Sequence, residues 1–185
     1  MLWPFPNNTR ITAGFNESRP LAKPGAHKHG AIDIGLKVGS QIIAPEIGML
    51  FGYIAIRPAE DLYWPSNEIT NNPYKNYFYD MFGGILILKG ESGITHIFAH
   101  LYGNQLLNKI DLNWKNTFKE EKESLRFPLL CFQSKEQEVF EGADIGVSGN
   151  AGYSTSAHCH YEMHNGFIWQ KHEVRPNPEK IDWEY

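Results

Sequence analysis

The chain has 185 residues, of which 42% are hydrophobic and 21% are charged, a composition typical of one globular domain. Its formal net charge of -4 provides no basic surface of the kind that nucleic acid requires, so nucleic acid is excluded as the main partner. No apolar run is long enough to cross a membrane, and the two cysteines, Cys131 and Cys159, are too few for a disulfide-based fold.

Short β-rich runs separated by glycine- and proline-containing turns predict a mainly β, antiparallel domain. We expect a single domain over residues 1–185. In chain order, the predicted strands are ITAGF, AIDIGL, SQIIAP, MLFGYIAI, GGILILKG, GITHIFAHL, ADIGVSG and HCHYEMH. The N-terminal stretch MLWPFPNNTR lacks the charged and apolar regions of a secretory signal, and none is predicted there.

Two segments interrupt this pattern and are predicted to be surface insertions. Residues 57–82 are polar, aromatic and rich in turn formers. Residues 103–138 contain the best helical candidate of the chain, LLNKIDLNWKNTFKEEKESLRF. Long insertions in compact domains often act as lids or binding loops, so at least one is expected to border the active site.

The C-terminal run HCHYEMH holds three of the 8 histidines of the chain. Because side chains alternate along a strand, the imidazoles and the carboxylate of this run share one face. The residues of that face are His158, His160, Glu162 and His164. The opposite face is predicted to pack into the core, and its residues are Cys159, Tyr161 and Met163.

Two other predicted strands also offer imidazoles. In AHKHGAIDIGL, His29 and Asp33 lie four residues apart, and the β-branched neighbours of Asp33 favour a strand. In THIFAHL, alternation places His96, Phe98 and His100 on one face. Three such segments in a chain with few histidines indicate a shared task, for which metal binding is the first candidate.

Imidazoles with one carboxylate and no thiolate are typical of a catalytic Zn²⁺ site, which has three protein ligands and one open position. Structural zinc sites more often contain CxxC pairs, which are absent from this sequence. The chain has more histidines than three ligands require. The surplus can serve as a general base or as a hydrogen-bond donor to a transition state.

The runs HGAID, IFAHL and SGNAGYSTSAHCHYE together resemble the M23 family of zinc metallopeptidases, the lysostaphin/LytM type. That family has an HxxxD motif, a YxHL-like segment and an HxH motif. The flanking runs VGSQIIAPEIG, ADIGVSGNAG and RPNPEKI also resemble family sequences. The resemblance covers most of the chain outside the two insertions and implies an antiparallel lysostaphin/LytM-like sheet, a duplicated hybrid motif, with a groove for an extended peptide.

The resemblance also implies roles for five residues. His29 and Asp33 match two zinc ligands, and His160 matches the third. His100 and His158 match the two catalytic histidines, which in the family flank a zinc-bound water that attacks a peptide carbonyl. Which of these two acts as general base is left open by the sequence.

The sequence departs from the family pattern in the loops and not at these five positions. Phe98 stands where the family usually has tyrosine, and Ser156 and Ala157 replace the usual Gly-Pro before HxH. Gly30 lies one position earlier than the usual glycine. These differences affect loop geometry more than chemistry.

The remaining polar candidates have less specific patterns. His27 is predicted to lie on the surface or beside the ligands, His164 at the periphery and His172 in solvent. His96 either lines the groove or lies away from it. Glu162 lies on the metal face, where a carboxylate can orient a ligand imidazole.

The sequence therefore predicts a zinc-dependent endopeptidase that cuts peptide cross-links or bridges of bacterial peptidoglycan, in an extracellular or periplasmic location. Three alternatives are a non-catalytic relative that activates a cell-wall amidase, a phage-borne tail or lysis peptidase with the same chemistry, and an unrelated zinc amidase or deacetylase. The oligomeric state and the bond that is cut are not predicted.

Overall fold

The computed structural model describes residues 1–18, 28–58, 77–102, 115–118, 130–166 and 175–185. Most of the two predicted insertions lies outside these ranges, as do His27 and His172. Among the described residues, none forms a helix of the length and apolar character needed to span a membrane.

All eight predicted strands are confirmed within the described part of the chain. They begin and end at β1 Arg10–Ala13, β2 Ile32–Gly35, β3 Gln41–Ile43, β4 Gly48–Pro58, β5 Tyr77–Gly90, β6 Ile94–Leu101, β10 Asp144–Val147 and β11 His158–Asn165. A 3₁₀ turn at Pro178–Lys180 follows the last strand, and the side chain of Asn177 caps it by accepting from the amide of Glu179.

The second predicted insertion contributes further strands, β7 Lys115–Phe118, β8 Leu130–Gln133 and β9 Gln137–Val139. The predicted helix in this region is therefore wrong for residues 115–118, which pair with β8. Cross-strand pairing with a neighbour outweighs the weak helical preference of a charged segment. At the first insertion, β4 continues to Pro58 and β5 begins at Tyr77. The two ends of this insertion are therefore paired strands.

The described strands form a large antiparallel sheet and a small one. In the large sheet the order is β1-β2-β11-β6-β5-β4-β8-β7, with β9 paired to β4. The small sheet pairs β10 with β3. Strand β11 lies between β2 and β6, which places the HxH segment directly between the other two histidine-containing segments.

The main core lies on one face of this sheet, where Trp3, Phe5, Leu86 and Leu88 are buried. The predicted core face of β11 is confirmed, because Cys159, Tyr161 and Met163 are all 0% exposed within this core. A smaller cluster lies on the opposite face and consists of Phe51, Ile85, Ile87, Ile97 and Ala99, with Phe82 packed against it. The candidate site lies on this second face.

Candidate active site

Three potential metal-ligating atoms converge at the junction of β2 and β11. The register pairs His160 with Asp33 across the two strands, and His29 precedes β2 by three positions. His160 Nδ1 lies 2.9 Å from Asp33 Oδ1, and His29 Nε2 lies 3.2 Å from both of these atoms. All three residues are buried. The structure thus brings together the three residues predicted as ligands.

In both His29 and His160, the ring nitrogen that points away from the three converging atoms has a hydrogen-bond partner of its own. His29 Nδ1 lies 3.2 Å from the carbonyl oxygen of Gly14, and His160 Nε2 lies 2.9 Å from Glu162 Oε1. A carbonyl and a carboxylate only accept hydrogen bonds, so these nitrogens carry the protons. The other nitrogens, His29 Nε2 and His160 Nδ1, are left to act as ligands.

The electrostatics of this group favour a cation. Burial alone would raise the pKa of Asp33, but hydrogen bonds with His160 and His29 outweigh it and hold the pKa far below the ordinary range. Burial alone would lower the pKa of His160, but its hydrogen bonds to Asp33 and Glu162 raise it. The Asp33 carboxylate thus favours a positive charge, a proton or a metal ion, on the side where His160 Nδ1 and His29 Nε2 lie. A metal ion at the same place would displace that proton.

His100 reaches the same site through an irregularity in β6. It has a left-handed backbone, with φ of 63°, which is uncommon for a residue other than glycine. The β5–β6 register advances two residues on β5, from Gly84 to Leu86, while it advances three on β6, from Phe98 to Leu101. This extra residue is a β-bulge, a feature that redirects side chains.

The predicted shared face of His96, Phe98 and His100 is therefore wrong for His100. Phe98 packs in the main core, with its ring centroid 5.0 Å from that of Tyr161. The His100 ring lies on the other face, with its centroid 4.6 Å from that of His158 and 5.8 Å from that of His160. The backbone reversal at His100 cancels the strand alternation.

The loop before β11 fixes the orientation of His100. Its Nδ1 donates to the carbonyl oxygen of Ala151 at 2.9 Å. Gly83, with φ of 65°, allows this approach, because a Cβ there would lie 2.7 to 2.9 Å from Cβ, C and O of Ala151. Burial, together with the neighbouring His158 and His160, lowers the pKa of His100 to about 3. At neutral pH His100 is therefore a neutral imidazole, and its Nε2 carries a lone pair and no proton.

His158 is oriented by the same loop. Its Nδ1 lies 2.8 Å from the carbonyl oxygen of Ser156 and 3.0 Å from Ser154 Oγ. The Ser154 hydroxyl donates its own proton to Ser156 O at 2.7 Å, so both partners of His158 Nδ1 accept. His158 Nε2 faces the ligand group, 3.8 Å from Asp33 Oδ1.

The other histidines of the described chain lie outside the group of five. His96 is 0% exposed and lies on the core face, so it does not line the site. Its nitrogens lie 2.7 Å from the hydroxyl of Tyr161 and 2.7 Å from Glu46 Oε1. His164 is buried and lies 2.8 Å from Glu162 Oε2. Glu162, as the alternation predicted, lies beside a candidate ligand.

Sequence reasoning missed several residues that shape this site. Phe82 has its ring centroid 5.7 Å from that of His160 and 6.3 Å from that of His100, and it forms an apolar border. Arg175 donates to Glu162 Oε2 at 2.9 Å. Phe82 ends the first predicted insertion and Arg175 begins the run RPNPEKI, but the sequence pattern assigns neither side chain to the site. The Gly-Gly pair after Phe82 was a signal of close backbone approach.

Comparison with solved structures supports the fold. A zinc-containing peptidase from Vibrio cholerae superposes with a TM-score of 0.54 at 15% identity over 98% of this chain, which spans 40% of that protein. The catalytic domain of the antimicrobial peptidase lysostaphin from Staphylococcus simulans has a TM-score of 0.50 at 18% identity, covering 94% of this chain and 91% of that domain. No protein-family model and no curated protein matches the chain. The chain therefore has a mostly antiparallel β fold of the lysostaphin/LytM type.

Proposed function

We propose that this protein is a zinc-dependent endopeptidase that hydrolyses peptide cross-links or bridges of bacterial peptidoglycan. His29, Asp33 and His160 would hold the zinc ion, and His100 and His158 would act on the reacting groups. The M23-like motifs supply the substrate class. The fold shared with a zinc-containing peptidase and with lysostaphin is consistent with it. The proposed location is the cell envelope, where this substrate lies.

The geometry of the three donor atoms is the observation that carries this proposal. They are separated by 2.9 to 3.2 Å. Ligands about 2.0 to 2.1 Å from a tetrahedral zinc ion lie about 3.3 Å from one another. The triangle thus matches one face of a zinc tetrahedron with only small adjustment. Two imidazoles and a carboxylate without thiolate are also the ligand types of catalytic zinc sites.

The rings of His100 and His158 lie beside the three donor atoms, with the His100 ring centroid 5.8 Å from that of His160 and His158 Nε2 3.8 Å from Asp33 Oδ1. When bound, zinc would supply Lewis-acid polarisation of the scissile carbonyl and would lower the pKa of water from about 15.7 to about 7. His100 and His158 hold their Nδ1 protons on backbone carbonyls and direct Nε2 toward the same space. One Nε2 would accept the proton of the attacking water. The other imidazole could hydrogen-bond the developing oxyanion only after it takes up a proton at its own Nε2, because its Nδ1 proton is held by a loop carbonyl.

Both imidazoles are suited to proton transfer because their rings are fixed before substrate binds. Each ring has one nitrogen anchored to a loop carbonyl and so has a defined tautomer. The ring of Phe82 lies beside His100 and His160 and gives the site an apolar border.

The test is digestion of purified sacculi that contain cross-links of several chemistries, with released fragments identified by mass spectrometry. We expect cleavage of one type of peptide bond, abolished by a chelator and restored by zinc. The matched control is Asp33→Asn, which removes the anionic ligand and should abolish both zinc binding and cleavage. Zinc-loaded protein that cleaves no sacculus would contradict the proposal and favour a non-catalytic role in activating an amidase.

A further inference from the structure

Glu162 is the centre of a buried polar network behind the proposed ligand group. It is 4% exposed. Its Oε1 accepts from His160 Nε2 at 2.9 Å, and its Oε2 accepts from His164 Nε2 at 2.8 Å and from Arg175 at 2.9 Å. These contacts, above all those with His160 and His164, offset the effect of burial and lower the pKa of Glu162 to about 2.

This network decides which nitrogen His160 presents to the ligand group. With its Nε2 proton held on Glu162, His160 can offer only Nδ1 to a metal ion. A ring rotation would instead direct Nε2 toward Asp33 and change the donor triangle. The position of the Glu162 carboxylate is therefore a determinant of the metal geometry.

Arg175, the first residue of the run RPNPEKI, holds that carboxylate from outside the HxxxD and HxH motifs. It lies 13 residues beyond Glu162 and contacts Oε2, the oxygen that does not bind His160. The same NH1 nitrogen also lies 3.4 Å from the carbonyl oxygen of Gly30, the residue after His29. Arg175 thus connects the two segments that supply the histidine ligands. A guanidinium is suited to this position because it is always charged and offers several donors in a fixed plane.

We propose that Arg175 is a positioning residue for the metal centre, acting through Glu162 on His160 and through Gly30 on the segment of His29. This inference rests on the proposed zinc site. Without Arg175, Glu162 Oε2 keeps only His164 among the contacts described here, and the carboxylate can turn away from His160. Loss of such outer partners typically weakens metal affinity about 10- to 100-fold.

The experiment measures the zinc dissociation constant by competition with a chromogenic chelator. It uses the wild-type protein and the variants Arg175→Met, Arg175→Lys, Glu162→Gln and the double variant Arg175→Met/Glu162→Gln. The control is Arg10→Met, which removes an exposed arginine from β1. Thermal melting of each metal-free protein reports whether it is folded. This readout is independent of peptidase activity.

We expect Arg175→Met to raise the zinc dissociation constant about 10- to 100-fold and Arg175→Lys to raise it less, since lysine keeps the charge. Arg10→Met should leave it unchanged. If Arg175 acts through Glu162, the double variant should lose little more affinity than Glu162→Gln alone. Should Arg175→Met not fold, Arg175→Lys and Glu162→Gln provide the same comparison.

Two results would overturn the inference: unchanged zinc affinity in folded Arg175→Met, or fully additive losses in the double variant. A wild-type protein that binds no zinc would overturn both this inference and the proposed function. A wild-type protein that binds zinc tightly but cleaves no sacculus would remove the proposed function and leave the role of Arg175 intact.

Discussion

His96 and His100 lie four residues apart on the same strand and end in opposite environments. His96 is enclosed in the core, and both of its ring nitrogens have partners, Tyr161 and Glu46. His100 has Nδ1 fixed on Ala151, and no described residue hydrogen-bonds to its Nε2. The comparison shows what distinguishes a structural histidine from one available for chemistry: the protein fixes one nitrogen and leaves the other to a substrate.

The two histidines also differ in how their surroundings are built. The partners of His96 form a chain, since Glu46 also accepts from the amide and hydroxyl of Ser92 at 2.9 and 2.7 Å. Gly90 makes room for this carboxylate, because a Cβ there would collide with it. His100, in contrast, is surrounded by imidazoles and the edge of Phe82. Substitutions at the two positions should therefore affect different properties.

The largest effect on catalysis is expected for His100→Ala. If His100 takes part in proton transfer or oxyanion stabilisation, kcat/KM on a cross-linked peptide should fall about 10²- to 10⁴-fold. Zinc content and melting temperature should change little, because His100 is neither a proposed ligand nor part of the main core. A variant that retains more than about one tenth of the wild-type rate would contradict this role. General acid–base catalysis contributes at least about 100-fold to a rate, so its loss should leave about one hundredth or less.

His96→Ala should give the reverse result. It leaves the Glu46 carboxylate and the Tyr161 hydroxyl buried without their imidazole partner, and removal of one member of a buried charged network typically costs about 3 to 5 kcal/mol. Denaturant unfolding measures this loss. The fraction that stays folded should keep its zinc affinity. A stable His96→Ala protein without activity would instead place His96 in the catalytic machinery.

Gly83→Ala tests whether the Ala151 carbonyl sets the orientation of His100. A methyl group at Gly83 would push Ala151 away and loosen the hydrogen bond to His100 Nδ1. We expect kcat to fall about 10-fold with little change in KM, since misplaced catalytic groups lose rate even at small displacements.

Gly39→Ala is the matched control for Gly83→Ala. Gly39 also has a left-handed backbone, with φ of 86°, but nothing lies within 4 Å of the position of an added Cβ. Both variants should lose about 1 to 2 kcal/mol of stability from backbone strain. An equal loss of activity in the two would show that strain, and not the position of Ala151, is responsible.

The contrast between His96 and His100 also marks what could be predicted from the sequence. Strand alternation in HCHYEMH separates the core residues of β11 from those of the site. The HxxxD spacing likewise identifies His29 and Asp33, which converge at the start of β2. Both segments keep regular backbone geometry, so a period of two suffices. His100 departs from this period because of a bulge that depends on pairing with β5, which no local pattern in THIFAHL reveals.

Long-range partners are the other part that sequence reasoning could not supply. Glu46 lies in the run VGSQIIAPEIG and Arg175 in the run RPNPEKI, but neither run indicates which side chain its residue contacts. Glu46 reaches His96 across 50 residues, and Arg175 reaches Glu162 after an intervening segment. The helix prediction is wrong for Lys115–Phe118, because the charged residues that follow in the same run have helical propensity while the pairing of this strand with β8 is non-local. Tertiary packing decides each of these cases.

The smallest expected effect concerns the acid side of the His96 network. Burial alone would raise the pKa of Glu46, but hydrogen bonds from His96 and Ser92 outweigh it and lower the pKa below its ordinary value of 4.5. A lowered carboxyl pKa contributes stability that is present above pH 4.5 and is lost as the pH falls through the folded-state pKa. Wild-type stability should therefore decline on acidification below pH 4.5, and Glu46→Gln, which cannot ionise, should have a shallower slope there.

Glu141→Gln, at an exposed position, controls for the change in net charge. Urea unfolding at a series of pH values measures the slopes, and identical slopes for the wild type and Glu46→Gln would show that Glu46 is not ionised within the core.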